Sequence, residues 1–274
     1  MRTIVITGGT DGMGGALARH FLTVGDQVAV IGRSRAKFDA LLSAVGDPSA
    51  ADRAEFVAAD LSLVADSRRV VAHLTDRYEQ IDALVLAASF IRNRRHITTE
   101  GHEASWALFF LSKFILVIGF AAALRASGRS VIVNTSVPGA KADSIDFDDP
   151  DLTQGFTFGK SNAQQRRANE LLGILATRDN PDLSYVTWGP ARLVRSSFAG
   201  DVGIGMKLAA TVLAPLLGQQ PADAVRPLID LIDNPAPGRA AYRGPKPVPL
   251  VVGPHDKQDA IRLDDLVRTN ARGA

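Results

Sequence analysis

The chain has no cysteine among its 274 residues. Disulfides, thiol catalysis and thiolate metal sites are thereby excluded together. Its five histidines (His20, His73, His96, His102 and His255) are scattered, with no His-x-x-x-His pair and no acid at ligand spacing, so no metal is expected. Charge of one sign is also scarce: the formal net charge is +2, and no basic run carries interleaved aromatics. A nucleic-acid partner is therefore not expected. No basic-then-apolar leader precedes the first strand pattern, which points to a soluble cytoplasmic protein. The apolar stretch Trp106 to Leu124 is interrupted by Ser112 and Lys113, and reads as a helix buried against a sheet with no role in a membrane.

What is present is ordinary globular material, 46% apolar and 22% charged. Seven short runs read as strands: TIVIT, QVAVI, EFVAA, ALVLAA, SVIVN, SYVTW and VPLVV. They lack polar alternation, as a parallel sheet covered on both faces requires. Stretches of helical period lie between them at 12–24, 35–45, 64–77, 102–126 and 160–177. This alternation predicts an α/β, doubly wound (Rossmann), mostly parallel seven-stranded sheet with helices on both faces, in one domain over 1–274. Between the sixth and seventh strands, 196–218 is glycine-bearing and amphipathic, and is read as a substrate lid at the carboxyl edge of the sheet, the alternative being an ordinary connecting helix. A helix start is read at QPADAV, with Asp223 in its first turn favoured by the dipole.

The first strand runs straight into Gly8, Gly12 and Gly14, and a helix begins at once. A tight turn, a close backbone approach and helix N–H groups aimed at negative charge are what a pyrophosphate needs. The second strand ends in Arg33, with Ser34, Arg35 and Lys37 behind it and no acid at the strand end. A basic residue there suits the 2′-phosphate of NADP, where an acid would hold the free ribose hydroxyl of NAD.

The spacing Thr7-Gly8-x-x-x-Gly12-x-Gly14 resembles that of the short-chain dehydrogenase/reductases. TTEGHEASW, SIDFDD and GRAAYRGPKPV are similar to the retinol-dehydrogenase-like branch. The resemblance implies NADPH/NADP contacts at Thr7, Gly8, Thr10, Asp11, Gly12, Met13, Gly14, Arg33 and Ser34. It adds Asp60 and Leu61 beside the adenine, Ala87, Ala88 and Ser89 in place of the family's Asn-Asn-Ala, Lys160 on the ribose, and Pro190 and Ser196 or Ser197 near the nicotinamide.

The family reduces carbonyls with a serine, tyrosine and lysine assisted by an asparagine. Here Lys160 is kept, but Phe156 stands where the tyrosine belongs. Ser136 is offered as the serine, although Val137 aligns better, and the asparagine falls near Phe109. General acid catalysis contributes about 10²–10⁴-fold, so its loss weakens an oxidoreductase without abolishing it. The resemblance implies an atypical NADPH-dependent ketoreductase acting on a small-molecule aromatic ketone, an angucyclinone-like polyketide. Lys160 and Ser136 are its candidate catalytic residues, and water or the substrate is its proton source. The alternative is an inactive NADP-binding pseudoenzyme serving as a redox sensor or partner protein. Family oligomers pack through the helix after the lysine. Gln165, Arg166, Asn169 and Glu170 are read as its outward, polar positions, so a monomer is expected.

Overall fold

The computed structural model describes residues 1–192, 194, 200–201 and 218–270. Strands β1 (Thr3–Thr7), β2 (Gln27–Gly32), β3 (Ala54–Ala58) and β4 (Ala83–Leu86) alternate with helices α1 (Gly12–Thr23), α2 (Arg35–Val45) and α3 (Val64–Arg77). A two-residue β5 (Ile91–Arg92) precedes a long helical rod. The rod comprises α4 (Ala104–Trp106), one π turn (Ala107–Leu111), α5 (Ser112–Gly119) and α6 (Ala121–Ala126). Then come β6 (Val131–Asn134), α7 (Phe158–Arg178), β7 (Ser184–Gly189) and the short β8 (Gly200–Asp201). Helices Pro221–Ala224 and Arg226–Asp233, strands β9 (Gly238–Arg243) and β10 (Lys246–Val248), and helix Asp256–Asn270 complete the described chain.

The main sheet has the order β10-β9-β7-β6-β4-β1-β2-β3. All neighbours pair parallel except β10, which turns back antiparallel on β9. The central strands β1, β4 and β6 are buried at every position, which explains their unbroken apolar runs. One face carries α3, α5, α7 and the last helix, the other α1, α2 and Arg226–Asp233. Chain order reverses between β1 and β4, so a crevice opens outside their carboxyl ends.

Two strand assignments need correction. The sheet has eight strands where seven are expected, the extra one being the antiparallel edge strand β10. The last parallel strand is GRAAYR, paired from Ser184↔Gly238 to Gly189↔Arg243, and not VPLVV. Only Val248 of that run is in a strand. The Val251 carbonyl instead accepts from the buried Arg167 guanidinium at 3.2 Å. This strand lies between β7 and β10 but carries two arginines and only one buried position, Ala241, so its apolar signature is weak.

Three of the four positions read as outward on α7 point inward, while Arg166 is half-buried. Gln165, Asn169 and Glu170 are buried, Asn169 completely. The helix Asp256–Asn270 packs on α7 through Ala260, Leu263 and Val267. Arg167 joins the two helices through ion pairs to Glu170 (3.1 Å) and Asp256. A polar sequence on a helix buried on both sides misleads any reading from amphipathicity.

The expected lid lies outside the described residues except for Gly200, Asp201 and Gly218. Gly200–Asp201 pairs parallel with β5. Among the described residues, no helix is long and apolar enough to cross a membrane.

Candidate active site

A cleft of about 550 Å³ lies at the chain-order reversal, between the loops that follow β1 and β4. The glycine turn contributes Gly8, Thr10, Asp11, Gly12, Met13 and Gly14 to its wall. The loop after β2 adds Arg33 and Ser34, the first turn of α2 adds Lys37, the loop after β3 adds Asp60 and Leu61, and the loop after β4 adds Ala87, Ala88, Ser89 and Phe90. Most of the cofactor contacts expected from the sequence are thus brought together.

The turn is built for close approach. Gly8 has φ +65°, and a Cβ there would stand 2.7 Å from the Ala88 Cα. A Cβ on Gly14 would stand 2.4 Å from the Gly8 carbonyl oxygen. Neither position accepts a side chain, and the resulting backbone cradle fits a pyrophosphate. Thr7 lies beneath the cleft. Its hydroxyl accepts from the Ala88 N–H at 3.1 Å and so ties the two loops together. Asp60 accepts from the Ser62 N–H (3.0 Å) and hydroxyl (2.7 Å), which fixes the loop after β3. Ser34 caps α2, and Asp11 caps α1 through its contact with the Gly12 N–H.

Among the described residues that line the cleft, neither Lys160 nor Ser136 appears. The Lys160 ammonium meets Asp146 at 3.1 Å, half exposed, in the first turn of α7, and holds that carboxyl below the usual carboxylate range. Ser136 is buried, its N–H donating to Asn134 Oδ1 at 3.1 Å. Phe156 precedes Thr157, the cap of α7, and carries no acid. Pro190 lines a different depression, with Trp188, Ala191 and Arg192, and Ser196 and Ser197 lie outside the described residues.

Beneath this region is a polar cluster that the sequence reading missed. Lys113 donates to Asn134 Oδ1 at 2.7 Å from a wholly buried position. Burial pushes its ammonium down to about 7. Asn134 Nδ2 donates to Asn169 Oδ1 (2.7 Å) and to the Tyr185 hydroxyl (2.9 Å). Burial raises the Tyr185 hydroxyl above the ordinary phenol range, so it stays protonated and donates to the Asn169 carbonyl at 2.8 Å. The signal available in the sequence is a lysine, Lys113, inside an otherwise apolar helix.

Phe90 and Val194, both in the cleft wall, were also missed as lining residues. The Phe90 ring stands edge-on to Phe109 at 5.4 Å and carries the Arg92 guanidinium at 4.6 Å. Phenylalanine at position 109 therefore gives this end of the site an aromatic surface where the family has an amide.

Comparison with known proteins agrees with this architecture. The chain is 28% identical over 193 residues to a Streptomyces sp. (strain C5) protein, DnrU, whose name describes a daunorubicin C-13 ketoreductase, covering 70% of this chain and 66% of that one. It is 26% identical over 148 residues to human retinol dehydrogenase 13, covering 54% and 45% of the two chains. The matches span about a third to two thirds of the lengths of the curated relatives. An alcohol dehydrogenase from Thermococcus sibiricus, solved with 5-hydroxy-NADP, superposes with a TM-score of 0.62 at 17% identity over 89% of this chain and 97% of its own. At that identity the likeness establishes the fold. The family model for short chain dehydrogenases matches residues 2–147, and the chain belongs to that family.

Proposed function

We propose that this chain is an atypical NADPH-dependent ketoreductase, working as a cytoplasmic monomer on an aromatic polyketide ketone of angucyclinone type. The carrying observation is the cleft, where the glycine cradle and the cations Arg33 and Lys37 share one wall. When bound, the reduced nicotinamide supplies a hydride. The protein's part is to hold the dinucleotide through the Gly8–Gly14 backbone and the α1 N-terminus, and to recognise the 2′-phosphate through Arg33. Phe90, with Phe109 against it, offers an apolar surface to a flat ring. The name of the Streptomyces relative supports a polyketide-derived ketone as substrate.

The carbonyl oxygen also needs a proton, and Phe156 has none to give. A phenol beside the substrate's carbonyl, with a pKa of about 10, matches a tyrosine in strength, and water is the other source. A second reading is a NADP-binding sensor without turnover. It is favoured by one observation, the pairing of Lys160 with Asp146 at 3.1 Å. NADPH oxidation followed at 340 nm on adding an aromatic hydroxyketone separates the two. Tight NADPH binding with no oxidation across a panel of such ketones supports the sensor.

A further inference from the structure

Two opposite charges meet on the cleft wall. The Lys37 ammonium, from the first turn of α2, lies 2.5 Å from Asp11 Oδ2, with the side chains 50% and 42% exposed. The other Asp11 oxygen accepts from the Gly12 N–H at 2.7 Å, which pins the carboxylate at the start of α1. Arg33 and Ser34 line the cleft beside them.

We propose that Asp11 and Lys37 form an exchangeable clasp, in which Lys37 passes from Asp11 to the 2′-phosphate of an entering dinucleotide. Asp11 thereby sets how steeply NADPH is preferred to NADH. The inference rests on the dinucleotide reading of the cleft. An ion pair this exposed is held weakly, because water competes for both partners. A phosphate carries up to two negative charges and three acceptor oxygens, so it outcompetes one carboxylate for the ammonium. Asp11 cannot follow, because its cap contact fixes it. NADH brings no group that can take Lys37, and with NADH the clasp stays closed. Asp11 therefore restrains a preference that Arg33 and Lys37 would otherwise make steeper.

The test is a titration of NADPH and NADH, by fluorescence or calorimetry, into the unaltered protein, Asp11→Asn, Lys37→Met and the double variant. Asparagine caps a helix as well as aspartate, so Asp11→Asn removes the charge and keeps the start of α1. We expect Asp11→Asn to raise the NADPH-to-NADH affinity ratio about three- to tenfold, as one removed charge a few ångströms away in a half-exposed site would do. Lys37→Met should lower the ratio, and adding Asp11→Asn to it should then change the ratio by less than about twofold. An unchanged ratio in Asp11→Asn overturns the clasp. So does an equal rise in the Lys37→Met background, which would mean plain repulsion between Asp11 and the phosphate. Binding of neither dinucleotide by the unaltered protein overturns the reading of the cleft, and the clasp with it.

Discussion

The Asn169 side chain donates to the main-chain oxygen of Phe109 at 2.7 Å, tying α7 to the π turn. A π turn frees a carbonyl from the helical ladder, and a buried carbonyl needs a partner. Asn169 supplies it, and through Asn134 the same cluster reaches Lys113, Tyr185 and the Ser136 N–H. Five elements, α7, the π turn, α5, β6 and β7, are thereby locked together under the loop that carries Ser136.

Lys113 makes stability depend on pH. Its pKa falls from an unfolded value near 10.5 to about 7 when folded, through burial. Between those values the unfolded chain holds a proton that the folded chain lacks, so stability from this group rises with pH across that window and is flat below it. Lys113→Met removes the dependence. Its stability relative to the unaltered protein should be most favourable near pH 6 and should decline by a few kcal/mol towards pH 10, since one pKa unit is about 1.4 kcal/mol. Urea unfolding at several pH values measures the difference, and a constant offset would contradict it.

Asn134→Leu should destabilise the protein by about 1–3 kcal/mol, because it leaves the buried Lys113 amino group without its acceptor. The same substitution in the Lys113→Met background should cost clearly less, as coupled neighbours do. Equal costs in both backgrounds would show that Lys113 and Asn134 act independently.

Much of this was legible in the chain. Six of the parallel strands and the glycine turn have local causes, namely β-branched runs and backbone positions where a Cβ would collide. Arg33, Asp60 and Ala87–Ser89 followed because the fold places those strand ends on one cleft. What was not legible depends on distant partners. Gln165, Asn169 and Glu170 look solvent-facing until a C-terminal helix and a π turn are known to cover them. The strand GRAAYR is specified by its pairing with β7 and not by its own composition. Lys160 has the family's spacing, but its local partner Asp146 is set by a loop fold that the spacing does not encode.

Cofactor choice follows from the wall of the cleft. Arg33→Ala should weaken NADPH by about tenfold or more, the cost of one charge-assisted phosphate contact, while changing NADH little. Dissociation constants for both cofactors check it. Equal affinity of the unaltered protein for NADPH and NADH would sink the prediction.

The protein should be a monomer of 29.1 kDa in solution. The α7 face is not left polar towards solvent. It is already occupied by Asp256–Asn270 of the same chain. Light scattering at twice that mass would contradict the prediction, and removal of the last helix should expose Ala168, Leu171 and Leu175 and cause association.

The final prediction concerns the missing acid. Ser136 is buried, with its N–H held by Asn134, and a serine hydroxyl is far weaker as an acid than a phenol. Ser136→Ala should therefore keep most of the turnover. If the substrate's own phenol protonates the new alcohol, methylating that phenol should suppress reduction by about 10²–10⁴-fold, the ordinary contribution of a general acid, and leave binding within a few-fold. The comparison needs the phenol and its methyl ether, with binding measured separately from the rate of NADPH oxidation. A methyl ether reduced at an undiminished rate would move the proton source to water or to the protein. A large loss in Ser136→Ala with binding intact would place it on that serine.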